Sequence, residues 1–139
     1  MKLSKRLTAL FAAVLMAVSV LSSTTTAFAT SKTGSFYCGS YKVSCSLVSA
    51  NKYSGIAITS TDVNFNTLCA TIFGTKVDKN GDNPKYIGSS GTPKYNATYV
   101  SEGIPVLSST GGYYYAKMAT AHIGIKNGKE NSLALNVSY

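Results

Sequence analysis

The side chains best suited to catalysis in this 139-residue chain are one histidine, three cysteines and five carboxylates. A Ser-His-Asp or Cys-His mechanism must use His122, the only histidine, with Asp62, Asp78 or Asp82 to orient its ring. The chain has no Gly-x-Ser-x-Gly nucleophile elbow, and His122 stands in the middle of a strand-like run, 119–123. This setting indicates a structural or surface histidine, so we expect no catalytic residue and no enzyme.

The carboxylates offer neither a recognisable acid–base pair nor a metal site. A glycosidase pair across a cleft is the alternative, although three of the five acidic residues lie in apparent turns. Asp78, Asn80 and Asp82 have the spacing that opens a calcium loop. Gly81, however, stands at the fourth place instead of the sixth, and Ser89 occupies the twelfth place, where a glutamate belongs. We expect an ordinary turn here, and neither a metal nor a cofactor.

Three cysteines, Cys38, Cys45 and Cys69, are the candidates for a disulfide bond. Three cysteines allow three pairings and leave one thiol over, and an exported protein can keep such a bond. Residue alternation points Cys45 toward the core, so a Cys45–Cys69 bridge would tie two predicted strands, and Cys38–Cys69 is a second pairing. The alternative is three buried thiols, because free cysteine behaves as a small hydrophobic residue.

Tyrosine is the aromatic residue that the chain uses most, with ten copies and no tryptophan. Tyr113, Tyr114 and Tyr115 follow one another, and Tyr95 and Tyr99 lie on the preceding predicted strand. On the sheet these rings could form an aromatic strip that binds a sugar or a peptide. The alternative is cross-strand packing that stabilises the sheet itself.

The first 29 residues have the three-part layout of a secretory signal peptide. Three positive residues precede an apolar or small run over 7–21, and a polar stretch leads to Ala27-Phe28-Ala29. The run is shorter than the roughly 20 residues of a membrane helix. We expect cleavage after Ala29, with retention as an anchor as the alternative. The product would be one secreted, extracellular domain, residues 30–139, without a membrane span.

Cleavage also changes the charge of the protein. The three positive residues of the leader include the only arginine, and their loss lowers the formal net charge from +8 to +5. The remaining lysines are spread singly along the chain, whereas nucleic-acid readers favour clustered lysine and arginine. We therefore expect no nucleic-acid partner. The charge favours weak attraction to anionic envelopes, with a cell-wall polymer or a surface protein as partner.

Period-two alternation without a helical pattern predicts an all-β domain, a small antiparallel sandwich or barrel. A short connection over 62–66, in which Val63 and Phe65 are candidates to point inward, separates the second and third strands. Asn127-Gly128 predicts a type I′ hairpin. The pattern predicts about six strands, at 41–47, 56–61, 68–77, 95–99, 113–125 and 133–139.

Three segments carry a resemblance to known proteins: Ser44-Cys45-Ser46-Leu47, the run 119–125 and the closing run 133–139. With the leader before them, they resemble small secreted β-sandwich proteins of Gram-positive bacteria. The chain is also similar in size, export and β pattern to lactococcin-972-type bacteriocins. The first resemblance implies a secreted protein that binds at or outside the cell envelope, and the second implies an antagonistic, bacteriocin-like protein.

Overall fold

A computed structural model describes residues 30–89 and 91–139, and the predicted signal peptide lies outside these described residues. The strands pair antiparallel in one sheet, and no helix occurs in the part of the chain that is described. The all-β prediction is therefore confirmed. The strands are β1 Thr30–Cys38, β2 Tyr41–Asn51, β3 Ser54–Asp78, β4 Lys85–Gly88, β5 Lys94–Gly103, β6 Tyr113–Lys126 and β7 Lys129–Ser138.

The 25-residue strand β3 organises the sheet and contains both the second and the third predicted strand. The segment predicted as a connection, 62–66, is an irregularity inside β3 at which the pairing with β5 shifts register. The first half of β3 pairs with β2 and β5, and the second half pairs with β6, with β4 and with the beginning of β5. One edge of β3 thus carries β2 and then β6, and the other edge carries β5 and then β4.

The sheet rolls up until its two end strands, β1 and β7, meet. A Cβ atom at Gly34 of β1 would lie 2.5 Å from Leu133 Cδ2 of β7, so a glycine is needed at this close approach. Asn131 Nδ2 of β7 donates a hydrogen bond to Tyr37 O of β1 over 3.0 Å. The strands of the described sheet follow the order β1-β2-β3-β6-β7, and no ladder of backbone hydrogen bonds joins β1 to β7. Because these two end strands meet without pairing, the sheet forms a nearly closed barrel.

The hydrophobic core lies inside this barrel and draws on most of the strands. Burial of large side chains stabilises such a core by roughly 1.5–3 kcal/mol each. Inward-facing residues of β3 and β6 alternate with outward-facing ones, as the pleat of a strand requires. The largest contributors are Phe36, Val43, Leu47, Phe65, Leu68, Ile72, Val100, Ile104, Tyr115, Met118 and Val137.

The residue types of the β6–β7 turn explain the predicted hairpin. Pairing with neighbouring strands explains two strands, β1 and β4, that the alternation pattern does not predict. Asn127 has φ 50° and Gly128 has φ 73°, the positive angles of the predicted type I′ hairpin. The unpredicted strands are β1 and the four-residue β4. Both are poor in alternating apolar residues, so their conformation depends on the neighbouring strands β2 and β3.

The expected disulfide bond does not form in any of the three possible pairings, and all three cysteines are free and buried. Cys45 of β2 pairs with Gly34 of β1. Cys38 lies four residues further along β1, so about 13 Å of strand separates the two cysteines. Disulfide bonds need Cα atoms within about 7 Å of each other. Cys38 and Cys45 belong to the core, whereas Cys69 alternates with the core residues Leu68 and Ala70 and faces outward. The alternative of three buried thiols is the one that the structure contains.

We expect the folded protein to keep three unreacted thiols. Burial raises the pKa of Cys45 to about 12 and also raises the pKa values of Cys38 and Cys69, so the reactive thiolate is scarce. A maleimide reagent should label none of the cysteines rapidly in the native protein and all three after denaturation without reductant. A mass that shows only one labelled cysteine in the denatured protein would demonstrate a disulfide bond and contradict the structure.

Candidate functional site

His122 of β6 lies inside the barrel and is fully buried. Its Nδ1 atom is 2.8 Å from Thr59 Oγ1, and its Nε2 atom is 2.7 Å from Thr120 Oγ1. The Thr59 hydroxyl donates its proton to Cys69 O over 3.1 Å, so it accepts from His122 Nδ1–H. Nε2 then accepts a hydrogen bond from the Thr120 hydroxyl. The network holds a neutral ring in one tautomer.

This placement leaves His122 unsuited to proton transfer with a substrate. Both ring nitrogens are engaged, and burial lowers the pKa of His122 to about 4. A general base must reach the proton that it removes, directly or through one water molecule. His122 therefore acts within the core, as a polar link between β3 and β6.

The five tyrosines of the predicted aromatic strip do not come together. Tyr95 pairs with Thr67 and Tyr113 pairs with Asp78, so about 35 Å of β3 separates the two positions. Tyr115 is fully buried in the core, and its hydroxyl donates to Pro105 O over 2.7 Å. The strip thus divides into two exposed rings on β5, Tyr95 and Tyr99, and two rings at the start of β6, Tyr113 and Tyr114.

The two rings on β6 contact lysines instead. Lys52 Nζ lies 4.2 Å from the centroid of the Tyr114 ring and 5.8 Å from that of Tyr53. Lys76 Nζ lies 4.2 Å from the centroid of the Tyr113 ring. These distances are within the range of cation–π attraction, which holds each ammonium group against an aromatic face. Tyr113 and Tyr114 are neighbours on β6, so their rings face opposite sides of the strand, and the two lysine contacts flank its beginning. We call these five residues, at one end of the barrel, the tyrosine–lysine cluster.

The turns at one end of the barrel position this cluster. Lys52 and Tyr53 form the β2–β3 turn, and Lys52 O accepts a hydrogen bond from Tyr115 N over 2.8 Å. Tyr53 O accepts from Leu107 N over 2.9 Å, which ties the turn to the loop before β6. Lys76 lies near the end of β3, where it pairs with Tyr115. Backbone hydrogen bonds therefore fix both lysines beside the rings.

The carboxylate of Asp78, near the cluster, accepts hydrogen bonds from residues of its own turn. Its Oδ1 atom accepts hydrogen bonds from Asn80 N and Asp82 N, and its Oδ2 atom accepts one from Asn83 Nδ2, each over 2.9 Å. The Asn83 side chain and these backbone donors lower the pKa of Asp78 below its ordinary value. These three N–H donors satisfy Asp78 within its turn.

A groove of about 170 Å³ opens on the outer face of the sheet next to the cluster. Phe73 and Thr75 of β3 line it, together with Tyr86 and Ile87 of β4. Tyr114 pairs with Val77, two residues along β3 from Thr75 and on the same face. The groove therefore lies on the same face as Tyr114 of the cluster, and its size suits one ring-sized group.

Comparison with known proteins finds no matching family model, no matching curated protein and no matching solved structure. The described residues contain no helix long and apolar enough to cross a membrane. Within the same residues, no group of three or more histidine, cysteine, aspartate or glutamate side chains could hold a metal ion. The cluster and the adjoining groove are the surface features that we take as the candidate site.

Sequence reasoning found two members of this site, Tyr113 and Tyr114, and missed the lysines, Tyr53 and Tyr86. The available signal was the pair Lys52-Tyr53 inside a predicted turn, because a turn exposes side chains at an end of the sheet. The contact of Lys52 with Tyr114 joins residues that are 62 positions apart in the chain. The pairing of β3 with β6 brings these two residues together.

Proposed function

We propose that the protein is secreted, is not an enzyme, and binds anionic polymers at the cell envelope through the tyrosine–lysine cluster. The observation that carries this proposal is the position of Lys52 and Lys76 against tyrosine rings, with an apolar groove on the same face as Tyr114. An envelope polymer that alternates sugar or polyol units with phosphate or carboxylate groups matches both parts of the site.

The chemistry of the cluster supports this ligand class. An ammonium group that rests on an aromatic face keeps its remaining N–H donors for an anion, and the contact limits the entropy lost when a ligand binds. Tyrosine rings offer a flat apolar face to a sugar ring and a hydroxyl group to its oxygens. A formal charge of +5 after cleavage attracts the same anionic surfaces over a longer range.

Two further observations agree with a binding role. The signal-peptide pattern predicts delivery to the outside of the cell, where envelope polymers are found. His122, which any histidine-dependent mechanism must use, is buried and bonded at both ring nitrogens. The exposed chemistry of the described surface is that of tyrosine, lysine and small hydroxyl residues, which suit recognition.

Binding to purified cell walls tests the proposal. Protein recovered from the culture medium should sediment with walls from a Gram-positive bacterium at low salt, and removal of the anionic polymers from the walls should abolish this. The double variant Lys52→Met/Lys76→Met should weaken binding at least about 10-fold, because each charge-assisted contact is worth roughly 1.5 kcal/mol or more. Added salt should weaken binding by the wild-type protein.

Lys42→Met/Lys129→Met is the matched control, since both lysines are exposed and lie next to the β1–β2 and β6–β7 turns, away from the cluster. This double variant removes the same two charges and should retain nearly the full wild-type affinity. Equal losses in the two double variants would show that net charge alone drives binding and would refute the role of the cluster. Zones of growth inhibition on bacterial lawns, without binding to walls, would favour the bacteriocin-like alternative instead.

A further inference from the structure

Tyr139, the residue after β7, contacts two segments that are far from it in the chain. Its backbone N–H donates to Ala116 O of β6 over 2.9 Å. Its side-chain hydroxyl is hydrogen-bonded to Ser49 Oγ of β2, 90 positions away. The ring is half-buried and packs against the core, so the phenol has a fixed position beside Ser49.

Ser49 is the residue through which the phenol reaches the β2–β3 turn. It is 2% exposed and lies where the register of β2 with β3 shifts, between Val48 and Asn51. Its hydroxyl oxygen lies 2.7 Å from Asn51 O and 3.0 Å from Ser54 O, the carbonyl groups at the two ends of the turn. A carbonyl group only accepts, so the single hydroxyl proton of Ser49 points to these oxygens. The Tyr139 hydroxyl therefore donates to Ser49 Oγ.

The turn that Ser49 closes carries Lys52 of the tyrosine–lysine cluster. The other half of the Lys52–Tyr114 contact lies on β6, two residues before Ala116. Tyr139 is therefore bonded to both sides of this contact, to the turn through its hydroxyl and to β6 through its backbone N–H.

We propose that Tyr139 is a positioning residue for the tyrosine–lysine cluster, and that its hydroxyl holds the β2–β3 turn where the Lys52 ammonium group rests on the Tyr114 ring. The inference rests on the proposed function, in which that ammonium group binds an anionic polymer. Contact between an exposed ammonium group and a ring is weak, so a small shift of the turn is enough to break it. Without the phenol, the Ser49 hydroxyl can rotate away from the two carbonyl groups that it holds.

The second lysine of the cluster provides an internal comparison. Lys76 lies within β3, where it pairs with Tyr115, and its ammonium group is 4.2 Å from the centroid of the Tyr113 ring. Ladder pairing, and not the β2–β3 turn, sets this position. Loss of the Tyr139 hydroxyl should therefore displace Lys52 and leave Lys76 in place.

Nuclear magnetic resonance of isotope-labelled protein recovered from culture medium tests the positioning without any ligand. The Cε protons of Lys52 and Lys76 adjoin ammonium groups that lie against tyrosine rings, so ring currents should shift their resonances upfield. Tyr139→Phe removes only the hydroxyl, and it should abolish most of the upfield shift of Lys52 while that of Lys76 is unchanged. Tyr37→Phe is the matched control, since Tyr37 is 55% exposed on β1, and it should change neither shift.

Binding to purified cell walls shows whether this positioning matters for the ligand. Tyr139→Phe should weaken binding about 3-fold, an effect within the range of a single hydrogen bond. The loss should persist in the Lys76→Met background and disappear in the Lys52→Met background, because only Lys52 depends on the turn. Tyr37→Phe should bind like the wild type.

Unchanged Lys52 resonances in Tyr139→Phe would overturn the inference. Equal displacement of Lys52 and Lys76 would overturn it too, because it would show a general loosening of this end of the barrel. So would a binding loss of the same size in the Lys52→Met background. Wild-type protein that does not bind walls would refute the proposed function, while the resonances would still decide the positioning. Urea unfolding shows whether Tyr139→Phe is folded.

Discussion

Lowering the pH from 7 to 4 is expected to reduce the free energy of unfolding by about 3 kcal/mol through His122 alone. Burial lowers the pKa of His122 in the folded protein to about 4, from an ordinary value of 6.5. As the pH falls through this window, the unfolded chain binds a proton that the folded protein does not, so stability is lost. Above about pH 7 the contribution is complete, and below pH 4 this group causes little further loss.

The other groups whose pKa values clearly shift on folding titrate outside this window. The buried thiols of Cys38 and Cys45 and the buried phenol of Tyr115 have raised pKa values and remain neutral throughout it. The pKa of Asp78 is lowered, so the stability that its turn contributes is lost only as the pH falls below the ordinary value of 3.8. Among the groups with clearly shifted pKa values, His122 is therefore the one that titrates between pH 6.5 and 4.

Urea unfolding at a series of pH values measures the effect. His122→Gln is the control variant, because its amide can donate to Thr59 and accept from Thr120 but does not titrate. Its stability at pH 7 can differ from that of the wild type, but its loss between pH 7 and pH 4 should be smaller by about 3 kcal/mol. Parallel pH dependence of the two proteins would show that His122 is accessible to protons in the folded state.

Replacement of Phe65 by alanine should destabilise the protein by about 3–5 kcal/mol, a large part of the total stability of a small domain. Phe65 is fully buried, and its ring meets the Tyr41 ring edge to face with centroids 6.5 Å apart. A Cβ atom at Gly124 would come within 3.1 Å of Phe65 Cε1, so the ring fills the space above that glycine. Alanine would leave a cavity at this position.

Val63→Ala provides the matched comparison, since Val63 lies two residues away in the same part of β3 but is 36% exposed. It should change the free energy of unfolding by less than about 0.5 kcal/mol. Both variants can be compared by their urea midpoints at pH 7. Similar midpoints for the two variants would mean that the irregular segment of β3 does not insert Phe65 into the core.

The fold class followed from local signals. Alternating residues over 41–47 and 133–139 have one face for the core and one for water, and the structure places Val43, Leu47 and Val137 inside. Asn127-Gly128 forms its hairpin because these two residue types tolerate positive φ. The same reasoning proposed Val63 and Phe65 as inward-facing, but only Phe65 is buried, because β3 is irregular there.

The candidate site followed much less from the sequence, because it depends on register. The sequence by itself determined the alternating strands and the turn residues, since both depend on neighbours along the chain. Only the tertiary structure decided that Cys69 faces away from Cys45, that Tyr115 is buried while Tyr114 meets Lys52, and that His122 lies between two threonines. The physical reason is that a shift of one residue in strand pairing moves every side chain to the opposite face, and the partners that set the pairing are distant in the chain.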